Sequence, residues 1–339
     1  MKRFIPFLTL LLLSVVFIPT GIAHVPLAPH DNTSIESAFH IHEPTKSWAI
    51  YDEIHESHEA KYYTLEMHRG ERLHISIFTP EESDFSPRLV IMSENYDSNT
   101  SLPDYIERPV GYGVIIIEGK RPAEADYEPF TPTSYYNILE FDEDVNETAI
   151  YYLAIFEPEN TGKFGLAVGH IESFDVDEWI SVPIDVVNIH LWEGQKIIFI
   201  LAPVIISLIV GLGLTFWPKF TLISPPEITG IFFPIGGFLY IGSGVSVFTQ
   251  MAVALTRAPV GAGVTVTSIF VTIPILLGLG VMRITNTKKD FKRNDTIKIG
   301  GLGVLGLIFW AGLIVGPIII ISGLIIILLR SYFFDNNNK

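Results

Sequence analysis

Histidine is the residue type whose number and placement could support chemistry in this chain. The sequence has ten histidines, and eight of them fall within 24–74. If a leader is removed after Ala23, His24 would offer both its α-amine and its imidazole to one metal ion. A further histidine would then complete a T-shaped copper site, and the candidates are His30, His40 and His42. The spacing His40-Ile-His42 would place both imidazoles on one face of a strand.

This arrangement resembles the histidine brace of copper monooxygenases and of some periplasmic copper carriers. The resemblance rests on His24 as the first mature residue and on the histidines close to it. It implies copper binding through nitrogen ligands alone. The alternative is a set of scattered surface histidines, which predicts weak binding that is shared among many sites.

An acidic stretch provides a second set of candidate metal ligands. Asp142, Asp144 and Asn146 share the opening spacing of a calcium-binding loop. An EF-hand is excluded, because its sixth position holds Glu147 instead of glycine and its twelfth holds Leu153. The stretch is therefore interpreted either as a peripheral calcium site in a turn or as a solvated acidic turn.

Other short motifs concern modification and catalysis. Asn32, Asn99 and Asn146 each begin an N-x-S/T sequon, which predicts glycosylation in exposed loops if the host attaches such glycans. The sequence contains no Gly-x-Ser-x-Gly elbow, P-loop or dinucleotide fingerprint, and His55-Glu-Ser-His58 lacks the spacing of a zinc protease. A non-catalytic role is favoured, and no cofactor is expected apart from the copper and calcium alternatives.

Charge and cysteine content restrict the class of protein further. Residues 24–194 carry a net charge of −24 and residues 195–339 carry +7. An acidic part is thus joined to a basic, apolar part, which excludes a soluble cytosolic enzyme and a nucleic-acid-binding protein. The absence of cysteine excludes disulfides, thiolate metal sites and a cysteine nucleophile.

The apolar segments predict a secreted leader and a membrane domain. Residues 1–23 have the charged start, apolar run and small residues of a signal peptide. Four later segments lack ionisable residues and are long enough to span a bilayer: Ile197–Trp217, Ile228–Val253, Gly261–Val281 and Ile299–Leu329. The last has 31 residues and must tilt, project or break near Gly316-Pro317. Two spans within it would need about 40 residues, so four spans are predicted.

Basic loops predict the orientation in the cell membrane. Five basic residues lie between Arg283 and Asp295, and short basic loops remain in the cytoplasm. Residues 24–194 and the tail 331–339 are then expected outside. The small residues of the spans, including Gly312-x-x-x-Gly316, predict either close helix packing or a surface for self-association or for a protein partner.

Alternating hydrophobicity from residue 47 predicts an extracellular all-β domain. The expected strands are Trp48–Glu53, Lys61–Met67, Arg72–Phe78, Arg88–Met92, Tyr112–Glu118, Tyr135–Phe141, Ala149–Phe156 and Lys163–His170. About eight short strands predict a jelly-roll-like antiparallel sandwich over 47–171. An extended segment over 24–46 is expected before it. A connector over 172–194 near the headgroups leads to the four-helix membrane domain over 195–330.

Parts of the sandwich sequence resemble a known family. The stretches 61–77, 87–92, 147–155 and 162–168 share a hydrophobic rhythm and two glycine turns with pre-peptidase C-terminal domains. Those domains resemble jelly-roll carbohydrate-binding modules and the Golgi-dynamics lumenal domain. The resemblance implies a non-catalytic module that binds a surface or a partner, and it does not extend to the spans.

Three functions are compatible with the sequence. The first is a surface protein whose sandwich binds a partner, a glycan or an envelope component, with the helices as anchor and assembly platform. The second is a copper-binding or copper-dependent redox protein that uses His24. The third is an accessory subunit of a membrane transporter or enzyme complex. An independent ion-coupled carrier is disfavoured, because the spans contain no ionisable group.

Overall fold

The chain folds into two compact units. The computed structural model describes residues 25–81, 83–97, 100–216, 231–286 and 293–337. One unit takes its described residues from Met1–Glu128, Ser134–Trp179 and Arg257–Pro259, and the other takes the remainder. The first unit is built from strands and the second from apolar helices. The expected division into a sheet domain and a helical part is confirmed.

The sheet unit contains eleven strands among the described residues. They are β1 (Val25–Leu27), β2 (Phe39–His40), β3 (Trp48–Ile54), β4 (Ala60–Met67), β5 (Arg72–Thr79), β6 (Arg88–Ser93), β7 (Gly113–Ile117), β8 (Asp126–Glu128), β9 (Thr133–Asp144), β10 (Ala149–Phe156) and β11 (Gly162–Val168). A six-stranded sheet has the order β1-β3-β11-β5-β9-β8, and a five-stranded sheet has the order β2-β4-β10-β6-β7. All eight predicted strands are present, and β1, β2 and β8 were not predicted.

The prediction of a purely antiparallel sandwich is wrong at two edges. Strand β1 pairs with β3 in parallel, and β2 pairs with β4 in parallel. Parallel neighbours need a crossover instead of a tight turn. The chain provides one in each case, because β2 lies between β1 and β3 in sequence and β3 lies between β2 and β4, each in the opposite sheet. Two- and three-residue strands carry too little alternation to be detected in the sequence. Both sheets are therefore mixed.

The main core lies between the two sheets. Leu73, Ile75 and Ile77 of β5 are fully buried, whereas Arg72, His74 and Ser76, which alternate with them, are not, and this confirms the predicted inward register. The facing sheet contributes Leu65, Ile91, Leu153 and Ile155, and β3 and β11 contribute Ile50 and Leu166. Burial of these aliphatic side chains makes the largest favourable contribution to the folding free energy of the sandwich.

The segment after the sandwich is a helix, α1 (Val176–Trp192). Its start has a capping box, because the backbone N–H of Asp175 donates to Glu178 Oε2 at 2.7 Å. Lys46, which is 6% exposed, donates to Glu178 Oε1 at 2.7 Å and to Asp175 Oδ2 at 3.1 Å. Burial alone would lower the pKa of Lys46, but these two carboxylates outweigh it and raise the pKa. A buried lysine thus fixes the first turn of α1 beside β3.

The helical unit continues with α2 (Ile197–Phe216), α3 (Phe232–Ala254), α4 (Gly263–Asn286), α5 (Arg293–Ile308) and α6 (Val315–Asn337). Among the described residues, three helices are long and apolar enough to cross a membrane, namely α2, α3 and residues Gly263–Thr285 of α4. The predicted fourth span, Ile299–Leu329, is not one helix. It breaks at 309–314, where Trp310, Gly312, Leu313 and Ile314 have positive φ angles.

The position of this break differs from the expected one. Pro317 lies in the first turn of α6, where its missing N–H removes no intrahelical hydrogen bond. Helix α5 instead ends at Ile308, six residues separate it from the start of α6 at Val315, and the two helices pack against each other. A short turn between two contacting helices makes an antiparallel hairpin.

The glycines of the helices support close packing within the chain. A Cβ on Gly278 of α4 would lie 2.5 Å from the carbonyl oxygen of Gly237 in α3. Tyr240 of α3 packs against Gly306 and Gly316, and its hydroxyl donates to the carbonyl of Leu302 at 3.3 Å. Gly312 and Gly316 therefore contact Tyr240 of the same chain, which favours the packing interpretation of that motif. Self-association stays a prediction.

Candidate functional site

The two outer faces of the sandwich differ in what covers them. The outer face of the five-stranded sheet is a second core formed by Tyr62, Val90, Met92, Ala154 and Phe156. Side chains from two loop segments pack on it, namely Ile35, Ala38, Leu102, Tyr105 and Tyr112. The backbone N–H of Glu107 donates to the Tyr62 hydroxyl at 2.8 Å and so fastens one of these loops. The loops therefore close this face around the second core, whereas Glu66 and Ile150 beyond the second core are exposed.

The outer face of the six-stranded sheet, in contrast, carries partly or fully exposed polar side chains, and we call it the open face. The pairing of β5 with β9 places Arg72 opposite Asp144, His74 opposite Asp142 and Ser76 opposite Glu140. All six residues are partly or fully exposed. The alternation of Glu140, Asp142 and Asp144 in β9 is what brings three carboxylates to one face.

Arg72 organises the polar part of the open face. Its Nε donates to Asp142 Oδ1 at 2.6 Å, and a second guanidinium nitrogen donates to Oδ2. These hydrogen bonds lower the pKa of the Asp142 carboxyl. His74 Nδ1 lies 3.4 Å from Asp142 Oδ2 and 3.9 Å from Glu140 Oε1. A cation, an imidazole and two carboxylates therefore meet at one place on the sheet.

An aromatic cluster occupies the neighbouring part of the open face. Phe78 packs directly on Gly165 of β11, where any Cβ would lie 2.0 Å from Phe78 Cζ. The ring of Phe78 is 4.6 Å from that of Tyr135 and 6.0 Å from that of Tyr51. Burial raises the pKa of the Tyr135 hydroxyl well above its usual value, and the nearby Glu128 carboxylate adds to this. Tyr135 therefore keeps its proton and donates to Glu128 Oε2 at 3.3 Å.

Hydrogen-bonding side chains border this cluster. Asn137, which is exposed on β9, donates through Nδ2 to Asp126 Oδ2 at 2.6 Å. Tyr51 and Tyr135 are partly buried, and Phe78 is almost fully buried beneath them. Aromatic rings next to amide and carboxylate groups can bind a polar ligand that also has apolar faces.

The predicted copper ligands are only partly brought together. His40 and His42 are exposed, and their rings meet edge to face with centroids 4.5 Å apart. Strand β2 ends at His40, so the two imidazoles are close together but do not share the face of one strand. His30 is also exposed. His24 lies outside the described residues, so the α-amine ligand that distinguishes a brace stays a prediction.

The predicted calcium residues lie in a different local structure. Asp142 and Asp144 belong to β9, so the expectation of an acidic turn at these two positions is wrong, and Asn146 follows the strand as an exposed residue. The strand continues because Arg72 and Leu73 of β5 pair with Asp144 and Glu143. Asp142 accepts hydrogen bonds from Arg72, so a calcium ion would compete with a bidentate ion pair there.

The sequon asparagines also have different surroundings. Asn32 is 1% exposed, and its Nδ2, the atom to which a glycan would be attached, donates to Asp52 Oδ2 at 3.0 Å. The Tyr63 hydroxyl donates to the same Asp52 oxygen at 2.6 Å. Asn146 is exposed, and Asn99 lies outside the described residues. Of the two described sequons, only that of Asn146 presents its side chain to solvent.

A buried polar network in the helical unit was not foreseen from the sequence. His190, which is 1% exposed, contacts Glu193 Oε2 through Nδ1 at 2.9 Å. Gln195 and Gln250 exchange reciprocal side-chain hydrogen bonds of 3.0 and 2.9 Å. His190 Nε2 is buried and has no hydrogen-bond partner among the described residues. Gln250 carries the one amide side chain of α3, and this is the sequence signal that could have indicated the network.

The cluster of His74 with Glu140 was also missed. The signal was present, because Leu73, Ile75 and Ile77 point inward and His74 must therefore point outward. Its partners on β9 could not be assigned without knowing that β5 pairs with β9.

In comparisons with known proteins, no family model and no curated protein matches this chain.

Proposed function

We propose that this protein is a membrane-anchored surface protein whose sandwich binds a hydroxyl-rich ligand, such as an envelope glycan, through the open face. The observation that carries the proposal is the difference between the two outer faces. On one face two loops cover the second core, whereas the other face presents an ordered set of polar side chains next to Tyr51 and Tyr135. The apolar helices would act as the anchor.

The sandwich is further proposed to be a jelly roll. The eight longer strands, β3 to β7 and β9 to β11, can be lettered A to H in chain order. The two sheets then read A-H-C-F and B-G-D-E. This interleaving of early and late strands is typical of two nested Greek keys. It supports the resemblance to pre-peptidase C-terminal domains and to jelly-roll carbohydrate-binding modules, whose functions are non-catalytic.

The proposed orientation places the sandwich outside the cell. The signal-peptide pattern and the basic loop between Arg283 and Asp295 support it. The hairpin of α5 and α6 changes one expectation, because it would return the chain to the side of that loop and leave the end of α6 in the cytoplasm. Protease added to intact cells should digest the sandwich and spare both the basic loop and a C-terminal tag. Cleavage of either from outside would contradict this orientation.

Ligand binding can be tested with the full chain in lipid nanodiscs and purified envelope polysaccharides as the probe. Tyr51→Ala and Asn137→Ala alter the aromatic and hydrogen-bonding parts of the open face, and both should reduce co-sedimentation with the polysaccharide at least about tenfold. Glu66→Ala is the matched control, because Glu66 is exposed on the five-stranded sheet. Equal binding by all three variants would contradict the proposal.

Copper binding is the second candidate function, and the edge-to-face pair of His40 and His42 favours it. If His24 is the first mature residue, one additional residue before it would convert the α-amine ligand to an amide. Copper affinity should then fall by orders of magnitude, while His55→Ala should change little. Equal affinities of the two forms would end this hypothesis.

A further inference from the structure

We propose that His74, Glu140 and Asp142 form a binding site for a divalent transition-metal ion, with Zn²⁺ as the best match. We also propose that Arg72 competes with the metal for Asp142. This inference goes beyond the proposed ligand-binding role and does not depend on it, because it concerns the side chains of β5 and β9 alone.

The backbone register fixes the three ligands. His74 lies directly opposite Asp142, and Glu140 lies two residues before Asp142 on the same face of β9. One ligand atom from each residue lies within 4.8 Å of the other two. The separations of His74 Nδ1 are 3.4 Å to Asp142 Oδ2 and 3.9 Å to Glu140 Oε1. The site is assembled by a central strand pair and not by a loop.

These separations are close to those of a tetrahedral metal centre. Zinc bonds of about 2.0–2.2 Å to nitrogen and oxygen imply ligand atoms roughly 3.3–3.6 Å apart. The Nδ1 to Oδ2 distance of 3.4 Å falls in this range, and the Nδ1 to Glu140 Oε1 distance of 3.9 Å is slightly longer. Glu140 is mostly exposed, so its side chain is not held in place by surrounding packing. Water can supply a fourth ligand at this solvent-facing position.

The ligand types select among metal ions. One imidazole nitrogen and two carboxylate oxygens match the donors of zinc sites. Calcium prefers six to eight oxygen ligands, and magnesium prefers an oxygen octahedron that retains several waters. The imidazole of His74 therefore favours a transition metal. This ligand set shares only Asp142 with the calcium site expected from the sequence.

Arg72 determines whether the site is accessible. Its guanidinium holds both oxygens of Asp142, so a metal must displace it from at least Oδ2. Arg72 has an alternative partner, because Asp144 lies directly opposite it in the register. The guanidinium can therefore move from Asp142 to Asp144 and remain paired. Zinc binding would exchange one exposed ion pair for another instead of leaving a cation unpaired.

The proposal can be tested by titrating ZnCl₂ into the full chain in lipid nanodiscs and following binding by calorimetry. His74→Gln and Asp142→Asn should each weaken the tightest binding step by more than about tenfold. Arg72→Gln should strengthen it by about two- to fivefold, the size expected for loss of an exposed competing ion pair. The matched control is His68→Gln, which removes an exposed histidine from the turn after β4 and should leave this step unchanged.

The tighter binding expected for Arg72→Gln keeps the test decisive, because a misfolded variant would not gain affinity. The proposal is overturned if wild-type protein binds no zinc. It is also overturned if His74→Gln binds like the wild type, or if Arg72→Gln binds more weakly. Loss of affinity in His68→Gln equal to that in His74→Gln would assign the binding to scattered histidines.

Discussion

The two outer faces of the sandwich arise from similar strands and differ in what lies on them. Strand β6 of the five-stranded sheet is apolar on both faces, because Val90 and Met92 point outward into a second core. Strand β5 of the six-stranded sheet alternates, with His74 and Ser76 pointing outward at partly exposed positions. The comparison teaches that apolar outward residues on a central strand indicate a face that loops cover, whereas polar outward residues indicate a face that stays in contact with solvent.

The same comparison separates two kinds of ion pair. Lys46 and Glu178 have side chains that are 7% and 16% exposed, and the pair holds the start of α1. Arg72 and Asp142 are 52% and 33% exposed on the open face. Water screens the second pair, so its partners can exchange at little cost. Exposed ion pairs therefore suit a surface that binds and releases a ligand, because their side chains can change partners when the ligand arrives or leaves.

The largest expected effect compares equivalent positions on the two faces. Val90→Asp would place an unpaired carboxylate in the second core and should lower the free energy of unfolding by about 3–5 kcal/mol. Ser76→Asp makes the similar change on the open face and should cost less than about 1 kcal/mol. Both losses of unfolding free energy can be measured by urea unfolding of the full chain in detergent, with hydrogen exchange in β4 and β10 as the readout. Similar losses would show that the open face is also covered.

The second prediction compares the two ion pairs. Lys46→Met removes the cation that compensates the largely buried Glu178, and should lower the free energy of unfolding by about 2–4 kcal/mol. Arg72→Gln should cost less than about 1 kcal/mol, because its partner Asp142 remains hydrated. The same unfolding measurement applies. A larger loss for Arg72→Gln than for Lys46→Met would contradict the distinction between a fixed and an exchangeable pair.

The smallest expected effect concerns the polar link between the two sheets. The Tyr63 hydroxyl of β4 donates to Asp52 of β3, so Tyr63→Phe should cost about 1–2 kcal/mol. Tyr105→Phe is the control, because the Tyr105 hydroxyl is buried and lacks a hydrogen-bond partner within the described parts of the chain. Removing that hydroxyl should be neutral or slightly stabilising. Thermal unfolding of both variants tests whether the link contributes, and equal shifts would show that it does not.

Much of the sandwich could be predicted from its sequence, because a strand with one buried face has a period of two residues. The inward set of Leu73, Ile75 and Ile77 follows from that period alone. The parallel edge strands β1 and β2 could not be predicted, since strands of two or three residues have no period. The apolar outward residues of β6 indicate that the closed face is covered, but the segments that cover it could not be predicted, because they are loops far away in sequence.

The helices show a different limit of sequence reasoning. Residues 299–329 are apolar throughout, so composition alone indicates one long segment. The break depends on positive φ angles at 310 and 312–314, of which only Gly312 provides a sequence signal.

For the candidate sites, the proximity of His40 and His42 follows from local spacing. The cluster of His74 with Glu140 depends on a pairing between distant strands, which spacing does not reveal.

The central claim, that the open face is the binding surface, is most directly tested by carboxyl footprinting. The full-length protein would be labelled on intact cells and after purification, and labelling would be quantified at each residue by mass spectrometry. We expect Glu140, Asp142 and Asp144 to be protected on cells relative to the purified protein, while Glu56 and the exposed Glu66 of the five-stranded sheet label equally in both. Equal labelling of the open-face carboxylates in the two settings, or protection of Glu66 instead, would contradict the account.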